Sequence, residues 1–278
     1  MRVALIYATW PVTPYGATWY KLADALRQAG LRAALEDAGH EVEEHVLVAQ
    51  GPAATELRGA FELARDIARH CREAHAGGAL PVVVCGSCAV AAVGGMAGFD
   101  AGTASILWMD AHADLNTPDT SGSGMLDGMA LAIALGKCWK PLGSELAGLH
   151  PMARSDVYLF GARDIDPGER ALIDSERIAI LHKAADVPAH LASAERVYIH
   201  LDMDVHDALQ VRANGFAVPG GPRIDEIRAA LTRVAAPPSA VTLSVTGLDP
   251  AAPDAVFAID TAIAHIRAVC DSRSATQC

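Results

Sequence analysis

Two short segments of the chain carry acidic or histidine side chains at every second position. One lies within residues 108–118 and the other within residues 198–207, and each begins with an apolar run typical of a buried strand. Successive side chains of a strand point to opposite faces, so a period of two places these polar groups on one side of an extended chain. The groups concerned are Asp110, His112, Asp114, Asp202 and Asp204.

Carboxylates gathered at two neighbouring strand ends would repel one another unless cations neutralise them. Mixed carboxylate and imidazole ligands suit Mn²⁺, although other divalent ions also accept them. Four carboxylates are enough to bridge two ions, an arrangement that turns water into a nucleophile. Either segment alone could be a polar loop that caps a helix, but that interpretation does not explain both together. We therefore expect a site for two Mn²⁺ per chain.

The rest of the chain alternates short apolar runs with longer amphipathic segments. This alternation, without an evident repeat or linker, predicts a single three-layer α/β/α domain over residues 1–278, with a mostly parallel sheet. Ligands of such folds bind at the carboxyl ends of strands, where both acidic segments would lie. The predicted strands are Val3–Tyr7, Glu41–Val48, Pro81–Cys85, Ser105–Met109, Val157–Phe160, Val197–Leu201 and Ala240–Val245. The predicted helices are Thr18–Gln28, Ala53–His75, Asp127–Leu135, Pro167–Ile173, Asp225–Val234 and Pro253–Val269.

The composition argues against several other classes of protein. With 22 Lys and Arg against 33 Asp and Glu, the 278-residue chain has a formal net charge of −11, which disfavours a nucleic-acid or anionic-membrane partner. No apolar run approaches the ~18 residues of a membrane span. The apolar run at residues 1–7 is too short for a signal peptide and fits a first strand. Six cysteines are too few for a disulfide scaffold, so a reducing, cytoplasmic compartment is expected.

Three motifs resemble those of the arginase, or ureohydrolase, family of binuclear manganese hydrolases. They are Asp110-Ala-His112-Ala-Asp114, Asn116-Thr-Pro118 and Asp202-Met-Asp204. The resemblance implies that Asp110 and Asp202 bridge the two ions. Asp114 would then complete the shell of one ion, and His112 with Asp204 that of the other. Arginase relatives often assemble as trimers or hexamers, so the resemblance also allows a homo-oligomer.

A fourth segment resembles the part of arginases that holds the amino-acid end of the substrate. In residues 161–169, Asp166 matches the aspartate that binds the α-amino group, while Asn116 and Ser123 fall where arginases hold the α-carboxylate. The Asp-Pro-Gly sequence at 166–168 could equally be a turn and helix start. Beside the metal motifs, it favours a guanidino amino acid as the small-molecule partner, rather than agmatine.

Residue 88 departs from the family pattern. Arginase-like enzymes carry Gly-Gly-Asp-His-Ser after an early strand, and the histidine is a metal ligand, whereas this chain has Cys88 at that position. A thiolate can ligate a cation, which would lower the pKa of the thiol, and its softness could shift the metal preference. Two alternatives remain open: an inert thiol at the strand end, or a redox pair with Cys85. A zinc knuckle would need a second CxxC.

Two further positions differ from arginases. Asp127 replaces a histidine that shuttles protons, and it is either a helix N-cap or a carboxyl that relays a proton or binds a polar group of the substrate. Gly247 replaces a glutamate that pairs with the charged guanidinium, so we expect open space there instead of an oriented anion. Losing such a buried charge pair usually costs about 3–5 kcal/mol, which would cripple an enzyme for ordinary arginine.

These departures suggest a modified substrate. Hydroxylation lowers the basicity of a guanidine, so the group needs no carboxylate partner, and its oxygen needs room and an acceptor such as Asp127. We hypothesise cleavage of Nω-hydroxy-L-arginine to L-ornithine and hydroxyurea, with catalysis by Asp127 and by the metal ligands His112 and Asp114. The chain then resembles the hydroxyarginine amidinohydrolases of D-cycloserine biosynthesis, a branch of the family. The alternatives are an ordinary arginase or other guanidino-acid ureohydrolase, a non-catalytic metal-binding relative, and a thiol oxidoreductase.

Overall fold

The computed structural model of the protein describes residues 1–10, 18–49, 56–99, 104–150, 156–189, 191, 194–236 and 240–276. Eight strands in these ranges form one sheet: β1 (Arg2–Thr9), β2 (Glu41–Val48), β3 (Leu80–Cys85), β4 (Ser105–Met109), β5 (Val157–Phe160), β6 (Ala179–Leu181), β7 (Arg196–Asp202) and β8 (Ala240–Thr246). Their order is β2-β1-β3-β8-β7-β4-β5-β6, and every neighbouring pair is parallel. The predicted parallel sheet is therefore confirmed.

Helices cover both faces of this sheet. They are α1 (Leu22–Gln28), α2 (Leu31–Glu36), α3 (Glu56–Ala76), α4 (Cys88–Ala97), α5 (Ala130–Ala134), α6 (Pro167–Glu176), α7 (Ile224–Ala235) and α8 (Ala255–Thr276). Ile6 and Val83 belong to a buried cluster with α3, α4 and α5, whereas Leu5 and Val82 belong to a second cluster with α1, α2, α7 and α8. Alternate residues of each strand thus enter opposite cores, which confirms the three-layer α/β/α fold.

The sequence pattern does not predict α2, α4 or β6. All ten residues of α4 are buried, and a helix that is apolar on every side has no amphipathic period by which to be recognised. β6 has only three residues, too few to show an alternation. The helix predicted over residues 127–135 is a 3₁₀ turn at Asp127–Met129 followed by the short α5.

Helix ends also differ from the predicted bounds. The last helix, predicted to end at Val269, continues to Thr276. The predicted start of α3 at residues 53–55 lies outside the described residues, and one domain over residues 1–278 stays a prediction. Among the helices described, none combines the length and apolar character needed to cross a bilayer.

Candidate metal centre and substrate cavity

The carboxyl ends of four central strands carry the polar residues of the site. β3, β8, β7 and β4 are consecutive in the sheet. β7 ends at Asp202 and β8 at Thr246, Asp110 follows β4 directly, and Cys88 begins α4 just after β3. Parallel strands end at the same edge, so the fold brings together residues that are up to 158 positions apart in sequence.

Two groups of potential ligands share Asp110. In one group, donor atoms of Cys88, Asp110, His200 and Asp202 all lie within 4.8 Å of one another, and in the other those of Asp110, His112 and Asp204 do. Asp110 is therefore placed between two candidate ion positions. Five of the six predicted ligands fall in these groups, and His200 is an additional member that we did not predict as a ligand.

Asp114, the sixth predicted ligand, lies outside both groups, but one of its carboxylate oxygens lacks a hydrogen-bond donor among the described residues. It is buried at 5% exposure, and no hydrogen-bond partner for its Oδ2 exists among the described residues. Its backbone has φ of 51°, a left-handed conformation, and its carbonyl accepts hydrogen bonds from Leu131 and Ala132 N–H. Burying a carboxylate oxygen without a hydrogen-bond donor costs free energy, and a bound cation would remove that cost by coordinating the oxygen.

Little paired positive charge balances the four buried carboxylates: the charge of the Arg163 guanidinium acts on Asp110 and Asp204, but its hydrogen bonds go to backbone carbonyls. Within the described residues, no lysine or arginine forms an ion pair with Asp110, Asp114, Asp202 or Asp204; only His112 pairs with two of them. Burial, and then the charge of neighbouring carboxylates, raises the pKa of Asp110 to about 7 and raises those of Asp114 and Asp202. The donor set therefore fits divalent cations, which would supply the charge that the protein lacks.

His112 lies between the two carboxylates of the second group. Its Nδ1 is 3.2 Å from Asp110 Oδ1 and 3.4 Å from Asp204 Oδ2. Burial alone would lower the pKa of His112, but the hydrogen bonds and charges of Asp110 and Asp204 outweigh burial and raise it. The same contacts hold the pKa of Asp204 below its ordinary value, although burial opposes them. Because an imidazole ligates only when neutral, a cation bound here would take the place of that proton.

Cys88 is buried against the same carboxylates. Its Sγ lies 3.2 Å from Asp202 Oδ2 and 3.4 Å from Thr246 Oγ1. Burial, and then the charge of Asp202, raises the pKa of this thiol, and burial raises the pKa of Cys85 to about 12. Reactive redox cysteines need lowered pKa values and access to partners, so the redox interpretation of this CxxC is disfavoured.

A cavity of about 260 Å³ opens onto these ligands. All five residues predicted to act on the substrate outside the ligand set line it: Asn116, Ser123, Asp127, Asp166 and Gly247. On one wall, Asn116 Nδ2 donates a hydrogen bond of 2.9 Å to Asp166 Oδ2. Ser123 is exposed, and its Oγ accepts a hydrogen bond from Met125 N–H.

Asp127 stabilises the beginning of α4. Its Oδ1 accepts hydrogen bonds from Ser87 Oγ at 2.5 Å and from Ala89 N–H at 3.2 Å. The N-cap of its own 3₁₀ turn is Leu126, so the predicted alternative role as N-cap of the following helix is wrong. Asp127 instead lines the cavity, and its carboxylate holds Ser87 and Ala89 on either side of Cys88.

Gly247 does not leave open space in the direction of a side chain. Its φ is +66°, and a Cβ built there would overlap the carboxylate of Asp202. β7 and β8 pair Asp202 with Thr246, so the residue after Thr246 passes directly over Asp202. The expectation of room at residue 247 is therefore corrected: the backbone lines the cavity, but no larger residue fits this conformation.

Comparison with known proteins agrees with this geometry. The model of the arginase family matches residues 21–271. An arginase of Brevibacillus brevis is 30% identical over 220 residues, 71% of this chain and 73% of that protein. The chain belongs to the arginase family. An N(omega)-hydroxy-L-arginine amidinohydrolase of Streptomyces lavendulae is 35% identical over 136 residues, 48% of this chain and 47% of that protein.

The superposition of this arginase-family chain on solved structures covers a larger share of its length than most of its sequence alignments with curated relatives do. The structure of an arginase from Bacillus cereus superposes with a TM-score of 0.86 over 97% of this chain and 98% of that one, at 24% identity. The chain spans about half the length of most of the curated relatives it matches. Family membership and fold are thereby established.

Two buried polar residues of this family member support the cavity and were not predicted. Glu169 accepts hydrogen bonds from Leu115 N–H and Asp166 N–H, both at 2.9 Å, and so joins the two loops that carry Asn116 and Asp166. Its spacing from Asp166 is that of a capping box, a signal that could have revealed it. Asn214 donates to Asp204 Oδ2 at 3.2 Å and to the Gly247 carbonyl at 2.6 Å, and no sequence motif marks it.

Arg163 holds the loop after β7 in place through its guanidinium group. Its nitrogens donate hydrogen bonds to six backbone carbonyls in three segments of the chain: those of Gly161, Asp204, Val205, His206, Val218 and Pro219. The loop includes Asp204, so Arg163 helps to position a candidate ligand without contacting the cavity itself.

Replacing Arg163 by methionine is expected to lower the free energy of unfolding by about 3–5 kcal/mol, because several part-buried carbonyls lose their donor at once. Methionine retains the apolar stem, so the change isolates the guanidinium. Denaturant unfolding of the metal-free protein measures it. Arg212→Met, at an exposed position, should change stability by less than about 0.5 kcal/mol. Equal stabilities of the two variants would show that these hydrogen bonds contribute nothing.

Proposed function

We propose that this protein hydrolyses Nω-hydroxy-L-arginine to L-ornithine and hydroxyurea with the help of two Mn²⁺ ions. The observation that carries the choice of substrate is at Gly247. No side chain fits there, so the cavity has no fixed carboxylate at the position that serves a charged guanidinium in the arginase pattern. A hydroxyguanidine is less basic and has less need of that partner. The partial similarity to the Streptomyces lavendulae enzyme supports the same choice.

The amino-acid end of the substrate is assigned to the wall formed by Asn116, Ser123 and Asp166. Asp166 lines the cavity as a carboxylate acceptor and can bind an α-ammonium group. Asn116 Nδ2 already donates to Asp166, and the Ser123 hydroxyl lies in an exposed turn at the rim, where it can donate to an α-carboxylate. Glu169 fixes the backbone of both loops, so this wall is held ready before substrate binds.

The metal ligands proposed are Cys88, Asp110, His112, Asp114, Asp202 and Asp204. Asp110 is common to both ligand groups and would face both ions, whereas Asp202 belongs to one group and is assigned to both ions by the resemblance to arginases alone. Bound divalent ions would activate water for attack and polarise the guanidine carbon. The choice of Mn²⁺ rests on the mixture of carboxylate and imidazole donors, and Cys88 could favour a softer ion.

Asp127 is proposed to bind the N–OH group and to transfer a proton to the leaving amine. Hydrolysis adds the oxygen of water to the guanidine carbon, breaks the bond between that carbon and the ornithine nitrogen, and delivers a proton to the leaving amine. Asp127 lines the cavity, and a carboxylate offers about four acceptor positions, so it can receive a hydrogen bond from the N–OH group. We propose that Asp127, directly or through a water molecule, takes up a proton released by the attacking water and passes it to the leaving amine.

We also propose a cellular compartment, an oligomeric state and a pathway for the reaction. The five described cysteines are free and buried, which suits a reducing, cytoplasmic compartment. A homo-oligomer and a place in D-cycloserine biosynthesis are implied only by resemblance to relatives.

The test of the substrate is a comparison of kcat/KM on three compounds with the Mn²⁺-loaded protein. We expect kcat/KM for Nω-hydroxy-L-arginine to exceed that for L-arginine at least tenfold, about 1.4 kcal/mol of transition-state binding. A hydroxyguanidine without the α-amino and α-carboxylate groups should be poor. A preference for arginine would make the protein an ordinary arginase, and absence of turnover on all three with metal bound would favour the non-catalytic alternative.

A further inference from the structure

A buried chain of hydrogen bonds runs along β7 and β8 beneath the metal ligands. Tyr198 Oη is 2.6 Å from Ser244 Oγ, which is 3.0 Å from His200 Nδ1. His200 Nε2 is 3.2 Å from Thr246 Oγ1, which donates to Asp202 Oδ2 at 3.2 Å. All five side chains are at most 4% exposed, so this series of hydrogen bonds is shielded from solvent.

Strand register and packing hold these groups in line. β7 and β8 pair His200 with Ser244 and Asp202 with Thr246, so the side chains lie on one face of the sheet. The His200 ring stacks on Trp108 with ring centres 3.7 Å apart and planes inclined by 10°. Tilting the imidazole out of this plane therefore costs it the stacking contact, while its hydrogen bonds to Ser244 and Thr246 select between the two flipped orientations.

When a cation is bound, the chemistry of each group determines which partner donates and which accepts in every hydrogen bond of this series. Asp202 is then a carboxylate and only accepts, so the single Thr246 proton goes to Oδ2. The oxygen of Thr246 must accept from His200, which requires a proton on Nε2. In a neutral imidazole Nδ1 is then the acceptor for the Ser244 hydroxyl, whose oxygen accepts from Tyr198. Every donor points toward Asp202.

The carboxylate of Asp202 is held at both oxygens. Oδ1 accepts a hydrogen bond of 2.8 Å from Asp204 N–H, and Oδ2 accepts from Thr246. Cys88 Sγ, at 3.2 Å, can donate to Oδ2 as a thiol but has no proton as a ligating thiolate. Among the described side chains, Thr246 is then the hydroxyl that keeps Oδ2 oriented.

We propose that His200 is a positioning residue of the metal centre: as a neutral imidazole with its proton on Nε2, it turns the Thr246 hydroxyl toward Asp202 and so fixes the carboxylate of this proposed ligand. This role rests on the proposed metal function of Asp202 and does not depend on the substrate. Partners that orient a ligand typically change metal affinity by about 10–100-fold when removed.

The first test compares His200→Phe with His200→Gln. Phenylalanine keeps a planar ring beside Trp108 but has no nitrogen, whereas glutamine keeps an N–H donor near the position of Nε2. Competition of the metal-free proteins with a fluorescent chelator for Mn²⁺ should show an affinity loss of about 10–100-fold for the phenylalanine variant. Glutamine should recover most of it. Thr246→Val should match the phenylalanine variant, and the double variant should lose little more.

Thermal unfolding of each metal-free variant identifies any loss due to misfolding. A folded His200→Phe variant with the Mn²⁺ affinity of the wild type would overturn the role of His200 alone. A glutamine variant no better than phenylalanine would do the same. A wild-type protein that binds no Mn²⁺ would instead overturn the metal centre, and this role with it.

The second test needs no substitution. In protein containing ¹⁵N-labelled histidine and loaded with diamagnetic Zn²⁺, the ring nitrogens of His200 should give the pattern of a neutral imidazole protonated at Nε2. A proton on Nδ1, or on both nitrogens, would contradict the direction of the hydrogen-bond chain. Loss of the Nε2 proton on metal loading would show that His200 is itself a ligand, and would also overturn the proposal.

Discussion

Replacement of Asp202 by asparagine is expected to remove bound metal and turnover together. The side chain ends β7 at the centre of the sheet and belongs to the ligand group that also contains Cys88 and Asp110. Asparagine has nearly the same shape but no charge, and its amide oxygen is a weaker ligand. Loss of about 4 kcal/mol of transition-state stabilisation corresponds to a ~10³-fold fall in kcat, and we expect at least that.

Elemental analysis after dialysis and steady-state rates on hydroxyarginine measure the two effects in the same sample. Asp225→Asn provides the matched control, because Asp225 is an exposed aspartate on α7 that belongs to neither ligand group and does not line the cavity. It should retain the metal content and turnover of the wild type. An Asp202→Asn enzyme that turns over normally after chelation and dialysis would refute the metal-dependent mechanism.

The same substitution is not expected to destabilise the metal-free fold. Asp202 is buried beside Asp204 and Asp110, and repulsion among these carboxylates destabilises the protein when no cation is present. Asparagine removes one of the charges and can still accept from Asp204 N–H. Metal-free Asp202→Asn should therefore unfold at the same denaturant concentration as the wild type or higher, whereas Mn²⁺ should stabilise the wild type alone.

Most of the candidate ligands could be predicted from sequence because their signal is local. The spacing of Asp110 and His112, and of Asp202 and Asp204, after apolar runs marks them as candidates. The expected strand alternation is wrong in its geometry: β4 ends at Met109 and Asp204 lies in the 3₁₀ turn Met203–Val205, so turns after the strands bring these side chains together. The parallel fold then requires both segments to end at one edge of the sheet. The structure places them together there.

Other features of the site depend on contacts between residues far apart in the sequence, which local sequence patterns do not reveal. His200 lies two residues before Asp202, but only pairing with β8 reveals that it bonds to Ser244 and Thr246. Arg163 is an ordinary charged residue in the sequence, and its six carbonyl partners come from loops that only the tertiary structure brings together. The fold has the same limit: α4 is invisible to a search for amphipathic helices because its whole surface is buried.

Gly247→Ala is expected to inactivate the enzyme nearly as completely as loss of Asp202, although it adds only a methyl group. That methyl group would occupy the position of the Asp202 carboxylate. The carboxylate cannot move aside freely, because Asp204 N–H and Thr246 hold its two oxygens. Displacing it should weaken Mn²⁺ binding at least ~10²-fold, since misplaced ligands bind weakly, and should reduce kcat about 10³-fold.

Backbone strain alone cannot produce such a loss. Alanine at φ +66° costs about 1 kcal/mol, and Gly78→Ala, at φ +70° with nothing within 4 Å of its Cβ, carries the same strain without the collision. Both variants should therefore show the backbone strain in unfolding, the collision should add to it only in Gly247→Ala, and only Gly247→Ala should lose metal and turnover. If both variants kept full Mn²⁺ binding and activity, the carboxylate of Asp202 would have to be mobile, and neither its bridging role nor the exclusion of a glutamate from residue 247 could stand.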